Sequence, residues 1–322
     1  MTEHEFLFCA VLAILFLLTL TFIISLICFL KVFYSKPRKP LSHDEYELPP
    51  GGEYVPFYPE IRSWIMDIKA KDREEISIKS FDGLTLRGYY YEYSPNSPIE
   101  LLFHGYKGNS ERDLNAGVER CAKLGRSCCL IDHRASGRSD GTVITFGVNE
   151  RRDCLDWINY INEKYPGREL VIGGVSMGAA TVMMAAGEGL PENVVSVMAD
   201  CGYSSQKDII KKVVKEMHLP ANLLYPFIKL GARIFGGFDL EEATPIEAVQ
   251  KSKTPIIFIH GSTDNFVPYS MSEELYRACA SHKKLVKIEN AGHGLAYPVN
   301  KTQYVESLRE FEQSIQFNKL YR

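Results

Sequence analysis

The chain has 322 residues, 45% of them hydrophobic and 24% charged, enough for one large domain of about 250 residues plus an appendage. Its 37 basic and 40 acidic side chains leave a net charge of −3, without the basic excess that a nucleic-acid binder carries. Eight cysteines, none in a C-x-x-C pair, read as reduced, mostly buried thiols rather than as a disulfide frame or a zinc site.

Residues 6–30 run for 25 positions without a charge. At about 1.5 Å per residue a helix of that length covers roughly 37 Å, enough to cross a bilayer with some tilt. A cleaved signal peptide is the alternative. The length of the run, the lack of a basic residue before it and the lack of an A-x-A site after it argue against that. Residues 1–34 are therefore expected to form a membrane anchor. Glu3, His4 and Glu5 precede the run, and Lys31, Lys36, Arg38 and Lys39 follow it. Basic residues favour the cytoplasmic side, which places the rest of the chain on that face. Unpaired cysteines agree with a reducing compartment, whereas the sequon Asn300-Lys301-Thr302 points the other way.

Residues 35–60 contain Pro37, Pro40, Pro49, Pro50, Gly51, Gly52, Pro56 and Pro59, and read as a stiff linker holding the domain off the membrane. Ile61, Trp64, Ile65 and Ile68 then recur at helical spacing. We expect this amphipathic helix to pack on the domain rather than to lie on the membrane through Trp64.

The domain proper occupies 61–322. Residues 75–79 and 84–91 alternate around Phe81-Asp82-Gly83, the pattern of a hairpin. Apolar runs follow at 101–103, 128–131, 170–172, 194–198, 256–259 and 285–288, with helical stretches near 110–124, 149–164, 177–188, 270–281 and 300–316. Apolar strands separated by helices predict an α/β fold: a mostly parallel eight-stranded sheet covered on both faces. Ligands bind such sheets beyond the carboxyl ends of the strands.

Polar motifs stand at those ends. Gly174-Val175-Ser176-Met177-Gly178 follows the fifth strand and reads as a nucleophile elbow, a strained turn that lifts a serine hydroxyl above the sheet. His104-Gly105-Tyr106 follows the third strand. The backbone N–H groups of Tyr106 and Met177 are the expected oxyanion hole, and His104 is expected to brace its turn. In Asp132-His133-Arg134 we expect structural partners rather than catalytic groups. Asp264 follows the seventh strand, and His293 lies between two glycines after the eighth. A serine needs a base to become a nucleophile, and the base needs an acid to fix its tautomer, which points to Ser176, His293 and Asp264 as a triad. Asp200, after the sixth strand, competes for the acid role, and Asp264 is preferred.

These motifs, FDGLTLRGYY, FHGYKGNS, DHRASGRSDG, GVSMG, GSTDNFVP and AGHG, resemble the α/β-hydrolase superfamily over about residues 73–318. The segment 145–150, with Asp153 and Trp157, is similar to a branch of small bacterial hydrolases that includes membrane-anchored Bem46-like and serine-aminopeptidase-like proteins. The resemblance implies acyl transfer through a serine ester, then hydrolysis by water, with no cofactor and no metal. It also implies that an insertion at about 204–254 forms a small cap over the serine. The cap's Leu223, Leu224, Tyr225 and Phe227 are the expected substrate-binding residues, for an apolar acyl or aryl group. The expected partners are a small-molecule ester or amide and the membrane. A serine peptidase or amidase is the alternative, with Glu241 and Glu242 as possible amine ligands, and a non-catalytic binding protein of the same fold is a third reading.

Overall fold

A computed structural model describes residues 2–36 and 45–320. Pro37, Arg38, Lys39 and Pro40, used above for the linker and the charge bias, lie outside the described residues.

The strands are β1 (Glu74–Lys79), β2 (Thr85–Tyr91), β3 (Ile99–Phe103), β4 (Ser127–Ile131), β5 (Leu170–Val175), β6 (Val194–Asp200), β7 (Ile256–Gly261) and β8 (Lys283–Ile288). The first helices are α1 (Glu3–Val32), α2 (Tyr58–Ala70), α3 (Ser110–Asp113), α4 (Gly117–Lys123), α5 (Glu150–Lys164) and α6 (Met177–Gly187). They are followed by α7 (Gln206–Glu216), α8 (Ala221–Phe235), α9 (Pro245–Lys251), α10 (Tyr269–Ala278), α11 (Ala296–Val299) and α12 (Lys301–Leu320).

One eight-stranded sheet runs in the order β1-β2-β4-β3-β5-β6-β7-β8. The pairs β1–β2 and β2–β4 are antiparallel, and every later pair is parallel. The mostly parallel sheet expected from the apolar runs is therefore present. In β3 all five residues are buried, and they alternate between the two faces. Leu101 and Phe103 join the cluster of α5, α6 and α10, while Leu102 joins that of α2, α4 and α12. The parallel register sets Phe103 beside Gly174 and Val175 beside Asp200, so the carboxyl ends of β3, β5 and β6 share one edge.

Glu100 on β3 is fully buried and paired with Arg120 at 2.6 Å and Arg126 at 2.5 Å. Burial alone would raise its carboxyl, but the two guanidiniums outweigh that and hold it at about 2. The helix expected over 110–124 is split into α3 and α4. The break brings Gly117 against β3, where a Cβ would stand 2.6 Å from Leu102 Cδ1.

Helix α2 packs through Ile61, Trp64, Ile65 and Ile68, as its spacing predicts. The described part of the stretch before it, from residue 45, lies on the domain. Residues 52–57 form a short 3-10 helix, and Tyr46, Leu48 and Phe57 pack against the same cluster. The chain also leaves α1 in contact with the domain. Phe33 is fully buried, its carbonyl accepts from Ile144 N at 2.9 Å, and Ser35 N donates to Thr142 O at 2.9 Å. A proline-rich composition makes a segment stiff but does not decide whether it stands off or lies down.

Helix α1 opens with a capping box between Thr2 and Glu5. Among the described residues it is the one helix long and apolar enough to cross a membrane. It is exposed through most of its first half, and then Ser25 and Phe29 are buried against α8.

Candidate active site

Ser176 sits between β5 and α6 with φ 58° and ψ −115°, in the positive-φ region that side chains disfavour. The chain holds it there because its neighbours have no side chains. A Cβ on Gly178 would stand 2.0 Å from the Phe103 carbonyl oxygen, and one on Gly174 2.1 Å from the Gly178 carbonyl carbon. The backbone N–H of Ser176 donates to Asp200 O at 2.8 Å, which ties the turn to β6.

His293 Nε2 lies 2.9 Å from Ser176 Oγ, and His293 Nδ1 lies 2.7 Å from Asp264 Oδ2. With Nδ1–H donating to the carboxylate, Nε2 is the acceptor for the serine hydroxyl. The other oxygen of Asp264 accepts from Phe266 N at 2.9 Å and Val267 N at 2.8 Å. Burial by itself raises the Asp264 carboxyl. The hydrogen bonds and charges of His260 and His293 outweigh it and hold the group well below the usual carboxylate range. Asp200 turns elsewhere: its Oδ2 accepts from Tyr304 OH at 2.9 Å, and burial raises its carboxyl. The sequence prefers Asp264 to Asp200 for the acid role, and in the structure Asp264 stands against the histidine.

Met177 is the first residue of α6, so its backbone N–H has no carbonyl one turn earlier in the helix to bond. Its side chain is buried in the core, which leaves only the N–H for the site. Tyr106 lines the cavity beside Ser176. His104 braces the turn, as expected: its Nδ1 donates to Gly105 O at 2.7 Å and its Nε2 accepts from His133 N at 3.1 Å. Arg134 holds Asp153 and Asp82, while Asp132 accepts from the backbone of Ser110 and Arg138. Each is structural, but they do not pair with each other.

A cavity of about 330 Å³ opens at Ser176 and His293. It runs toward α2, α4 and α12, where Trp64, Arg120, Asp200 and Tyr304 line it. Leu223, Leu224, Tyr225 and Phe227, the expected substrate-binding residues, do not line it. Leu223 is exposed, Leu224 and Phe227 are half-buried, and Tyr225 is buried with its hydroxyl on Glu241 at 2.9 Å. Two further aromatic residues of the cap pack on α1 and the residue after it: Phe235 against Phe22 and Phe29, Phe238 against Phe33. Glu241 and Glu242 are also engaged elsewhere, the first with Lys229 and the second with Arg151 at 2.7 Å and Arg152 at 2.8 Å.

Three contributors escaped the sequence reading. Pro49, Pro50, Glu53 and Tyr54 wall the cavity from a stretch whose composition says only linker. His260 stands 3.2 Å from Asp264 Oδ2, with Nε2–H donating to Val267 O at 2.8 Å and Nδ1 accepting from Ser272 Oγ at 2.6 Å. Its place four residues before Asp264 was the available signal. Cys201 follows β6 at φ 45°, and its sulfur lies within 4.8 Å of ligand atoms of Asp264 and His293. All eight cysteines are free, with Cys9 exposed and six buried.

Residues 101–223 match a family model described as the alpha/beta hydrolase fold, and residues 233–316 match one described as the prolyl oligopeptidase family. The chain is 28% identical to the Bacillus subtilis protein YqkD over 73% of this chain and 77% of that one. It is 25% identical to the protein bem46 of Schizosaccharomyces pombe, covering 66% and 67%. Among solved structures it is similar to the Pyrococcus furiosus esterase Pf2001, with a TM-score of 0.62 at 20% identity, covering 84% of this chain and 99% of that one.

Proposed function

The chain has the α/β-hydrolase fold, and from that premise we propose that it is a membrane-anchored serine hydrolase that cleaves carboxylic esters. The observation that carries this reading is the hydrogen-bonded line Ser176–His293–Asp264, at 2.9 and 2.7 Å. Ser176 Oγ attacks the ester carbonyl while His293 Nε2 takes its proton. Asp264 stabilises the imidazolium, and the N–H groups of Tyr106 and Met177 receive the oxyanion. The imidazolium then protonates the departing alcohol, leaving an acyl-serine. Water, deprotonated by the same histidine, attacks that ester and releases the acid and Ser176. The cavity lies at the small end of ligand sites, which favours a compact group on one side of the scissile bond. Helix α1 supplies the anchor, with the catalytic domain on the cytoplasmic face.

The test is turnover of a short p-nitrophenyl ester by the full chain in detergent. Ser176→Ala should abolish turnover and labelling by a fluorophosphonate. Undiminished turnover in that variant sinks the assignment.

Amide cleavage is the second reading, favoured by the match of residues 233–316 to a peptidase family. The same triad serves both bonds, since His293 can protonate an amine as it does an alcohol. Comparing acyl esters with aminoacyl amides decides between them.

A further inference from the structure

Helix α8 has 15 residues and spans about 22 Å, too short to cross a bilayer. Its apolar side chains fall into two stripes. Leu224, Ile228, Gly231 and Phe235 join the cluster that includes the end of α1, or touch α1 directly. At Gly231 the helices nearly meet: a Cβ would stand 2.5 Å from the Ser25 carbonyl oxygen, the close approach that small residues permit between membrane helices. The Phe235 ring lies 5.1 Å from Phe22 and 5.7 Å from Phe29.

The second stripe is Leu223, Phe227, Leu230 and Ile234, at i, i+4, i+7 and i+11. Its two ends turn outward, Leu223 at 64% exposed and Ile234 at 50%, with Phe227 and Leu230 half-buried between them. Met217 and Leu219, just before α8, are exposed as well. Phe22, Ser25 and Phe29, which α8 touches, all lie inside the uncharged run 6–30. About 20 residues cross the hydrocarbon, so a span beginning at residue 6 is still in lipid at Ser25. A helix docked on Phe22 and Ser25 therefore stands at the level of the membrane. The charge beside it matches an anionic surface: α7 carries Lys207, Lys211, Lys212 and Lys215 against Asp208 and Glu216, while on α8 Lys229 and Arg233 pair with Glu241 and Asp239.

We propose that α8 is an interfacial membrane helix, its Leu223–Phe227–Leu230–Ile234 stripe inserted into an anionic leaflet beside α1. The cap is then a second membrane contact, and it fixes the catalytic domain in one orientation. Leu223 and Phe227 meet lipid rather than substrate. The inference rests on α1 being a membrane anchor.

The test uses the full chain in vesicles of phosphatidylcholine and phosphatidylglycerol containing acyl-brominated lipid. The native Trp64 and Trp157 are 5% and 0% exposed and supply a constant background. Indoles introduced by L223W and I234W should emit to the blue and lose emission as brominated lipid increases. F81W, at a hairpin position 46% exposed, should keep its emission. Vesicle-bound protein whose L223W and I234W indoles are not quenched overturns the proposal and leaves the anchor standing. Protein that fails to float with the vesicles overturns both. Equal quenching in pure phosphatidylcholine overturns the choice of an anionic leaflet.

Discussion

Tyr106 donates its hydroxyl to the backbone carbonyl of Val32 at 2.6 Å. Its neighbour Lys107 reaches the carbonyl of Lys31 at 3.2 Å. The turn assigned to the oxyanion hole is thus fastened to the last turn of α1. Losing one such bond costs about 1 kcal/mol, so Tyr106→Phe should lower kcat for the ester roughly fivefold. KM should hardly move, because the ring that lines the cavity stays. A kcat equal to wild type means that the contact does not position the turn.

The choice between two aspartates is tested by paired variants. Asp264→Asn should reduce turnover roughly 10³- to 10⁴-fold, through the wrong histidine tautomer. Asp200 bonds Tyr304, so Asp200→Asn should cost far less. Steady-state kinetics of the two proteins side by side is the measurement, and the reverse order would move the acid to β6.

Gly178 has no room for a methyl group, because its Cβ would sit 2.0 Å from the Phe103 carbonyl oxygen. Gly178→Ala should force β3 and α6 apart, at a cost of about 3 kcal/mol or more. A sharply lowered Tm together with lost turnover is expected. An unchanged Tm means that the elbow is looser than its glycines imply.

Glu100 sets an acid limit on stability. Its carboxyl is held at about 2 in the fold, below its unfolded value. Its contribution is therefore complete above about pH 5 and is lost as the pH falls toward 2. Glu100→Gln leaves Arg120 and Arg126 buried without their shared carboxylate and should cost about 3–5 kcal/mol at neutral pH. Thermal unfolding against pH should show wild type losing more Tm than the variant between pH values of about 5 and 3.

Tyr54 walls the cavity from the segment before α2, and its hydroxyl is 3.9 Å from where a Cβ on Gly294 would stand. Tyr54→Ala should open that wall and raise KM several-fold, with a smaller effect on kcat. An unchanged KM for a panel of acyl esters removes this segment from the binding site.

The sheet was legible because the parallel strands, apart from lysine-rich β8, are short apolar runs closed by polar motifs. Ser176, Asp264 and His293 could be named together because each occupies such a closure. The walls of the cavity were not legible. Pro49 to Tyr54 have no periodicity, and a proline-rich stretch reads the same whether it is solvated or folded over a site. The cap failed for another reason. An apolar stripe announces burial without naming the partner, and Phe235 and Phe238 found α1 rather than a substrate. Asp200 ends β6 and Asp264 stands three residues past β7; the sequence prefers Asp264, and only the folded chain shows which carboxylate lies against His293.

Phe33 fills a hollow formed by Phe146 and Phe238, at ring distances of 5.8 and 5.3 Å. A chain begun after that residue would open the hollow to water. Removing α1 together with Phe33 therefore unplugs the domain, and the shortened protein would gain a sticky face. Solubility and integrity pull in opposite directions here, and the useful cut lies before Phe22 rather than after Ser35.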